Sequence, residues 1–106
     1  MTTRQQQIIR EITHKLASTL PQGGHAMLYG SQARGDNHQG SDWDILILLD
    51  TPVSLAENSA ITYPLIMMGW EMNEEINPVV YTKQEWASYK DTPFYDNVER
   101  DGILIA

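Results

Sequence analysis

Cysteine is absent from this chain. That excludes a disulfide framework, a zinc–thiolate site and a thiol nucleophile together. Cations are scarce, with 7 Lys and Arg against 14 Asp and Glu and a formal net charge of −7. Such a balance repels polyanions, so no long nucleic-acid track is expected as a partner. A single nucleotide stays open, because one divalent ion neutralises its charge locally. Long apolar runs are missing too. No stretch approaches the ~18 residues of a membrane span, and the opening MTTRQQQIIR has no apolar core of a secretory signal. The expectation is a soluble cytoplasmic protein with no membrane partner. Its 106 residues suffice for a single domain over 1–106 with one modest core.

What is present reads as alternating helix and strand. Ile8, Ile9, Ile12, Leu16 and Leu20 recur at helical spacing, predicting an amphipathic helix over 3–20 that Pro21 and Gly23-Gly24 end. His25 to Tyr29 reads as a short strand closed by Gly30, with Ser31 capping a brief helix through Ala33 and Arg34. Gly35 to Ser41 is turn chemistry. Asp42 to Leu49 is the clearest strand, and Ile45 to Leu49, apolar on both faces, predicts a central position. Pro52 fits the first turn of a helix to about Trp70, which Pro64 should kink or split. Glu75 to Tyr81 reads as a third strand, placed at an edge by Pro78. Thr82 with Glu85 forms a capping box for a helix starting KQEW, and 93–105 reads as a last helix weakened by Gly102. The order is α-β-α-β-α-β-α-α, an α/β fold.

The chemistry concentrates in LYGSQARGDNHQGSDWDILILL, residues 28–49. Charges beside a buried strand are costly, yet Asp42 and Asp44 stand at the head of the apolar run. Residues two apart on a strand share a face roughly 6.5–7 Å apart, so both carboxylates project one way and Trp43 the other. Magnesium prefers oxygen ligands and is held by one or two carboxylates plus substrate phosphates. Paired ions steady the attacking and leaving oxygens of a phosphoryl displacement. Gly30 lets backbone approach a ligand closely, the turn at Ser31 suits phosphate, and Arg34 adds a full charge to clamp a triphosphate.

Each piece alone has a plainer reading: a Gly-Ser turn with a cap, a solvated Asp-x-Asp, a surface arginine. Their conjunction carries the weight. Elsewhere the plain reading stands. His14, His25 and His38 are structural or solvated, and Trp70, Trp86 and Tyr89 belong to core or packing surface. Ile66, Met67 and Met68 are core or a partner surface, and Glu71, Glu74 and Glu75 form a solvated acidic turn.

GSQARG followed by SDWDILIL resembles the nucleotidyltransferase superfamily that includes DNA polymerase beta and the aminoglycoside nucleotidyltransferases. The shared signature is Gly-Ser, about ten residues, then Asp-x-Asp. The short length and the ending FYDNVERDGILIA look most like the minimal nucleotidyltransferase (MNT) domains of prokaryotes, commonly encoded beside a small helical HEPN-domain protein and acting as its antitoxin. The resemblance implies a small mixed sheet of about three strands flanked by helices. It implies that Asp42 and Asp44 are catalytic and ligate magnesium, and that Gly30, Ser31, Arg34 and Ser41 contact the nucleotide. The reaction implied moves AMP from ATP to an acceptor hydroxyl with release of pyrophosphate. In antitoxin relatives that acceptor is a tyrosine of the partner toxin. There is one departure. Active members place a third acid on the next strand, where EEINPVVYT puts Asn77; Glu75 shares its face by strand parity and is the substitute ligand, displaced by about 6.5 Å. Two alternatives follow: an antitoxin that works by occlusion without turnover, and transfer to a small molecule of aminoglycoside type. The second is disfavoured by the lack of length for an extra helical domain.

Overall fold

The computed structural model describes residues 1–106. Helix α1 (Thr3–Thr19) begins where Thr2 and Gln5 cap each other: the Thr2 hydroxyl accepts from the Gln5 backbone amide at 3.1 Å, and Gln5 Oε1 accepts from the Thr2 amide at 2.7 Å. Ile8, Ile12 and Leu16, four residues apart, are buried along one side. The chain then runs through β1 (His25–Tyr29), the single-turn α2 (Ser31–Arg34), β2 (Trp43–Leu49), α3 (Leu55–Glu71), β3 (Ile76–Thr82), α4 (Lys83–Ala87), α5 (Pro93–Asp101) and β4 (Ile103–Leu104).

The strands form one mixed sheet in the order β3-β2-β1-β4, with β2 and β3 parallel and the other pairs antiparallel. The central place of β2 and the edge place of β3 agree with the apolar run and with Pro78. Alternation along β2 divides the molecule. Trp43, Ile45, Ile47 and Leu49 enter the larger core with Ile8, Ile12 and Leu16 of α1 and Ile61, Leu65 and Met68 of α3. Leu46 faces the other way, into a smaller core with Trp86 of α4 and Val98 of α5. Aromatic rings fill that layer, with Trp86 at 5.2 Å from Phe94 and 5.0 Å from Tyr95. No helix is long and apolar enough to cross a membrane.

Several expected boundaries move, each for a local reason. The last helix stops at Asp101. Gly102 turns extended while still donating to the Val98 carbonyl at 2.7 Å, and Ile103 and Leu104 pair with Leu28 and Met27. A fourth strand results, because β1 has an open edge and a β-branched residue after glycine fits a sheet better than a helix. Helix α3 starts at Leu55, where the reciprocal cap of Ser54 and Glu57 satisfies two backbone donors; Pro52 stays in the loop. The helix continues unbroken through Pro64, with Ile61 and Leu65 on either side of it fully packed on the sheet. The N-cap of α2 is Gly30, and Ser31 is its first helical residue. Strands β2 and β3 each begin one residue later than expected.

Burial separates positions that sequence hydropathy treats alike. Leu28→Ala, at a fully buried β1 site, should cost about 2–5 kcal/mol in urea unfolding. Leu104→Ala, at a β4 site 66% exposed, should change stability by no more than about 0.5 kcal/mol.

Candidate functional site

The carboxyl end of β1 and the amino ends of β2 and β3 lie together at one end of the sheet. There Gly30 leaves β1 with φ +76°, a conformation that L side chains rarely adopt. A Cβ at this position would press on the end of the Asp44 side chain; the positive φ requires glycine, and its missing Cβ lets the carboxylate lie close. Its carbonyl accepts from the amides of Ala33 and Arg34, each at 3.1 Å, which closes α2. Gly35 at φ +84° ends that turn.

Gln32, inside the same motif, is only 5% exposed. Its Oε1 accepts from Gln5 Nε2 at 3.0 Å, and its Nε2 donates to the Ser41 carbonyl at 3.3 Å. This buried amide ties the glycine turn both to α1 and to the residue before Asp42. Sequence reasoning left it without a role.

Asp44 stands opposite Tyr29 of β1 and Asn77 of β3. Asp42 lies one residue before β2, and its Oδ2 accepts from Asn77 Nδ2 at 3.0 Å. Trp43 turns to the opposite side as the alternation requires; it is 1% exposed and its Nε1 donates to Glu74 Oε1 at 2.9 Å. Burial raises the Asp44 pKa above its ordinary value, and the charge of Asp42 raises it further, against the opposing effects of Asn77 and Arg34. Neither Asp42 nor Asp44 is in a salt bridge; the ion pairs are Arg4–Glu74, Arg34–Asp36, Lys83–Asp50 and Arg100–Asp101. The Tyr29 hydroxyl is pushed up to about 12 by burial and then by the Asp44 charge, so it remains a protonated donor at neutral pH.

A cleft of about 370 Å³ opens here, with Tyr29, Gly30, Ser31, Arg34 and Asp44 on one wall and Phe94, Asn97 and Val98 of α5 on the other. Arg34 Nε also reaches Asp36 Oδ2 at 3.2 Å on the solvent side. The α5 wall was not foreseen. Phe94 and Val98 read only as the apolar side of a helix, and Asn97 carried no signal.

Two predicted residues lie elsewhere. The Ser41 hydroxyl accepts from the His38 amide at 2.9 Å, and Ser41 borders a separate cleft with Gly40, Trp70, Asn73, Glu74 and Glu75. Glu75 precedes β3 and its carbonyl accepts from the Trp43 amide at 2.9 Å. No three Asp, Glu or His side chains gather as a metal-binding group. The acidic pair therefore stands with Asn77 as its third neighbour. Its hard oxygen donors, uncommitted to any cation, suit a small divalent ion that also meets phosphate.

Residues 9–102 match the sequence profile of the nucleotidyltransferase domain. The chain belongs to this family. A curated relative, "Putative protein adenylyltransferase" of Methanocaldococcus jannaschii, is 31% identical over 100 residues, covering 93% of this chain and 96% of its own. Among solved structures, a toxin–antitoxin complex with AMP-PNP superposes with a TM-score of 0.66 at 19% identity, over 92% of this chain and 72% of that one. A Shewanella oneidensis complex of tri-AMPylated HEPN toxin with MNT antitoxin gives 0.61 at 16% identity, over 96% and 71%. At such identities these likenesses establish the nucleotidyltransferase fold.

Gly30→Ala should lower stability by about 1 kcal/mol or more in urea unfolding, because φ +76° with an extended ψ is a conformation open almost only to glycine. Asp44→Asn should do the opposite to stability. A carboxyl whose native pKa is raised opposes folding increasingly as pH climbs from its ordinary 3.8 to the native value, and fully above that. In metal-free buffer at pH 7 the Asn variant should therefore melt higher than the parent, and the difference should vanish in acid.

Proposed function

We propose that this nucleotidyltransferase is a magnesium-dependent adenylyltransferase that moves AMP from ATP to a hydroxyl of a protein partner, and that the partner is a HEPN-type toxin held in check by this chain. The observation that carries the reading is the contact of the Asp44 carboxylate with Gly30 at the mouth of a cleft walled by Ser31 and Arg34. The adenylyltransferase relative, the AMP-PNP complex and the AMPylated HEPN toxin support the same direction.

Asp42 and Asp44 would hold the magnesium. When bound, the ion neutralises phosphate charge and polarises the phosphoryl oxygens. Gly30 brings its backbone to the phosphates without steric obstruction, Ser31 offers a hydroxyl donor, and Arg34 sets a guanidinium against the triphosphate. Tyr29, kept protonated, lines the same cleft. In the transfer, the acceptor oxygen forms a bond to the α-phosphorus, the bond from that phosphorus to pyrophosphate breaks, and the hydroxyl proton is released.

Asn77 favours a second reading. It donates to Asp42 where a carboxylate would add charge, and a neutral amide is a weaker metal ligand. A chain that binds its partner and occludes it, with turnover slow or lost, fits that substitution.

Incubation with labelled ATP, magnesium and the product of the neighbouring gene separates the readings. Label should pass to the partner, and Asp42→Asn or Asp44→Asn should reduce transfer by about 100-fold or more, the scale for removing a group that stabilises transition-state charge. A stable complex with no labelling, indifferent to both substitutions, would establish occlusion instead.

A further inference from the structure

Helix α3 packs Ile61, Leu65, Met68 and Gly69 against the sheet. Its outer side is also apolar: Tyr63 is 56% exposed, Met67 37% and Trp70 62%, spaced as neighbours on one helical stripe. Over 61–70 the helix is apolar on both sides, a pattern that ordinarily goes with cover on both sides, yet the outer stripe is open to solvent. The rim has one sign of charge. The helix contains Glu57 and Glu71 and no lysine or arginine, and Glu74 and Glu75 follow it. One cation reaches this end of the helix, Arg4, and it is already engaged, by the Met72 carbonyl at 2.6 Å and Glu74 at 4.0 Å. At its carboxyl end Trp70 borders a cleft of about 510 Å³ with Glu74, Glu75 and Ser41. Because Ser41 directly precedes Asp42, an occupant of this face sits beside the end of the sheet that carries the acidic pair.

We infer that the outer face of α3 is the docking surface for a basic amphipathic helix of a protein partner. Apolar side chains of that helix would cover Tyr63 and Met67. Its lysines or arginines would lie against Glu71 and Glu75 and over the Trp70 ring, a favourable position for a cation. Charge complementarity selects this occupant. A second copy is opposed, since pairing two α3 faces across a two-fold axis brings glutamates against glutamates between chains of net charge −7. The inference rests on the reading of a protein partner for its biological identity, and deepens it by naming the face and the chemistry of the segment that binds.

The full chain carries its own reporter, because Trp43 and Trp86 are 1% and 5% exposed and Trp70 alone is open. The probe is a synthetic leucine–lysine amphipathic peptide of about five helical turns, with a leucine–glutamate peptide of equal length as control, and no nucleotide or magnesium present. The basic peptide should shift Trp70 emission to the blue and shield it from acrylamide; the acidic peptide should do neither. Glu71→Lys should weaken binding about 10-fold or more, while Asp96→Lys on α5, the same charge change across the sheet, should weaken it less than about 3-fold. Met67→Asp should abolish it. Absence of binding, equal loss with Asp96→Lys, binding of the acidic peptide, or a dimer in sedimentation that Met67→Asp dissolves would each overturn the inference. Since ATP takes no part, these outcomes are independent of the transfer assay. Peptide binding without adenylyl transfer would count against the enzymatic reading alone.

Discussion

The structure turns on one steric fact: the Asp44 carboxylate and the Gly30 backbone occupy adjoining space that leaves no room for a Cβ. Everything at that end of the sheet is arranged to keep them together. The antiparallel register sets Tyr29 opposite Asp44. The left-handed turn at Gly30 brings the chain back over the carboxylate, and Gln32 pins the far side of the turn to the residue preceding Asp42. The price is an acidic pair held near a hydrophobic layer with no salt bridge of its own, and Asp44 shows it in a pKa that burial and Asp42 raise against the weaker pull of Asn77 and Arg34. A binding site that is unfavourable without its ligand is a common trade between stability and function.

The same strand that carries the acids builds both cores. Along β2 one parity delivers Trp43, Ile45, Ile47 and Leu49 to the layer under α1 and α3, while the other delivers Leu46 to the aromatic layer under α4 and α5. The acidic pair belongs to this second series, and it stands where the series emerges from beneath α5. Polarity and burial therefore meet within one strand, with the apolar part anchoring what the polar part presents.

Legibility in the sequence followed the physics of each signal. Strict strand alternation made the common direction of Asp42 and Asp44 and the burial of Trp43 readable, and reciprocal caps made the start of α4 readable. The fourth strand was hidden, because two residues carry no periodicity and owe their conformation to the free edge of β1. Parity one residue past a strand end held in one case and not in the other: Asp42, just before β2, still meets Asn77, whereas Glu75, just before β3, borders a different cleft from the one at Gly30. The family resemblance sets Ser41 at the nucleotide; its hydroxyl here accepts from the His38 amide. The wall supplied by α5 comes from residues fifty or more positions along the chain, a relation that no local pattern encodes. Trp70, read as core or packing surface, is largely exposed, since hydropathy does not say which side of an apolar helix faces outward.

The sheet is fastened unevenly. Between β1 and β2 five residue pairs are in register, between β2 and β3 seven, and between β1 and β4 only two. Helix α5, which walls the cleft, leads directly into that weakest seam. Past those two pairs the seam is tied again, since the Ala26 amide donates to the Ala106 carbonyl at 3.1 Å and the Ile105 amide donates to the Ala26 carbonyl at 2.9 Å. The helix that walls the cleft is thus held at its far end by a short clasp on β1, and the width of the cleft depends on that clasp staying closed.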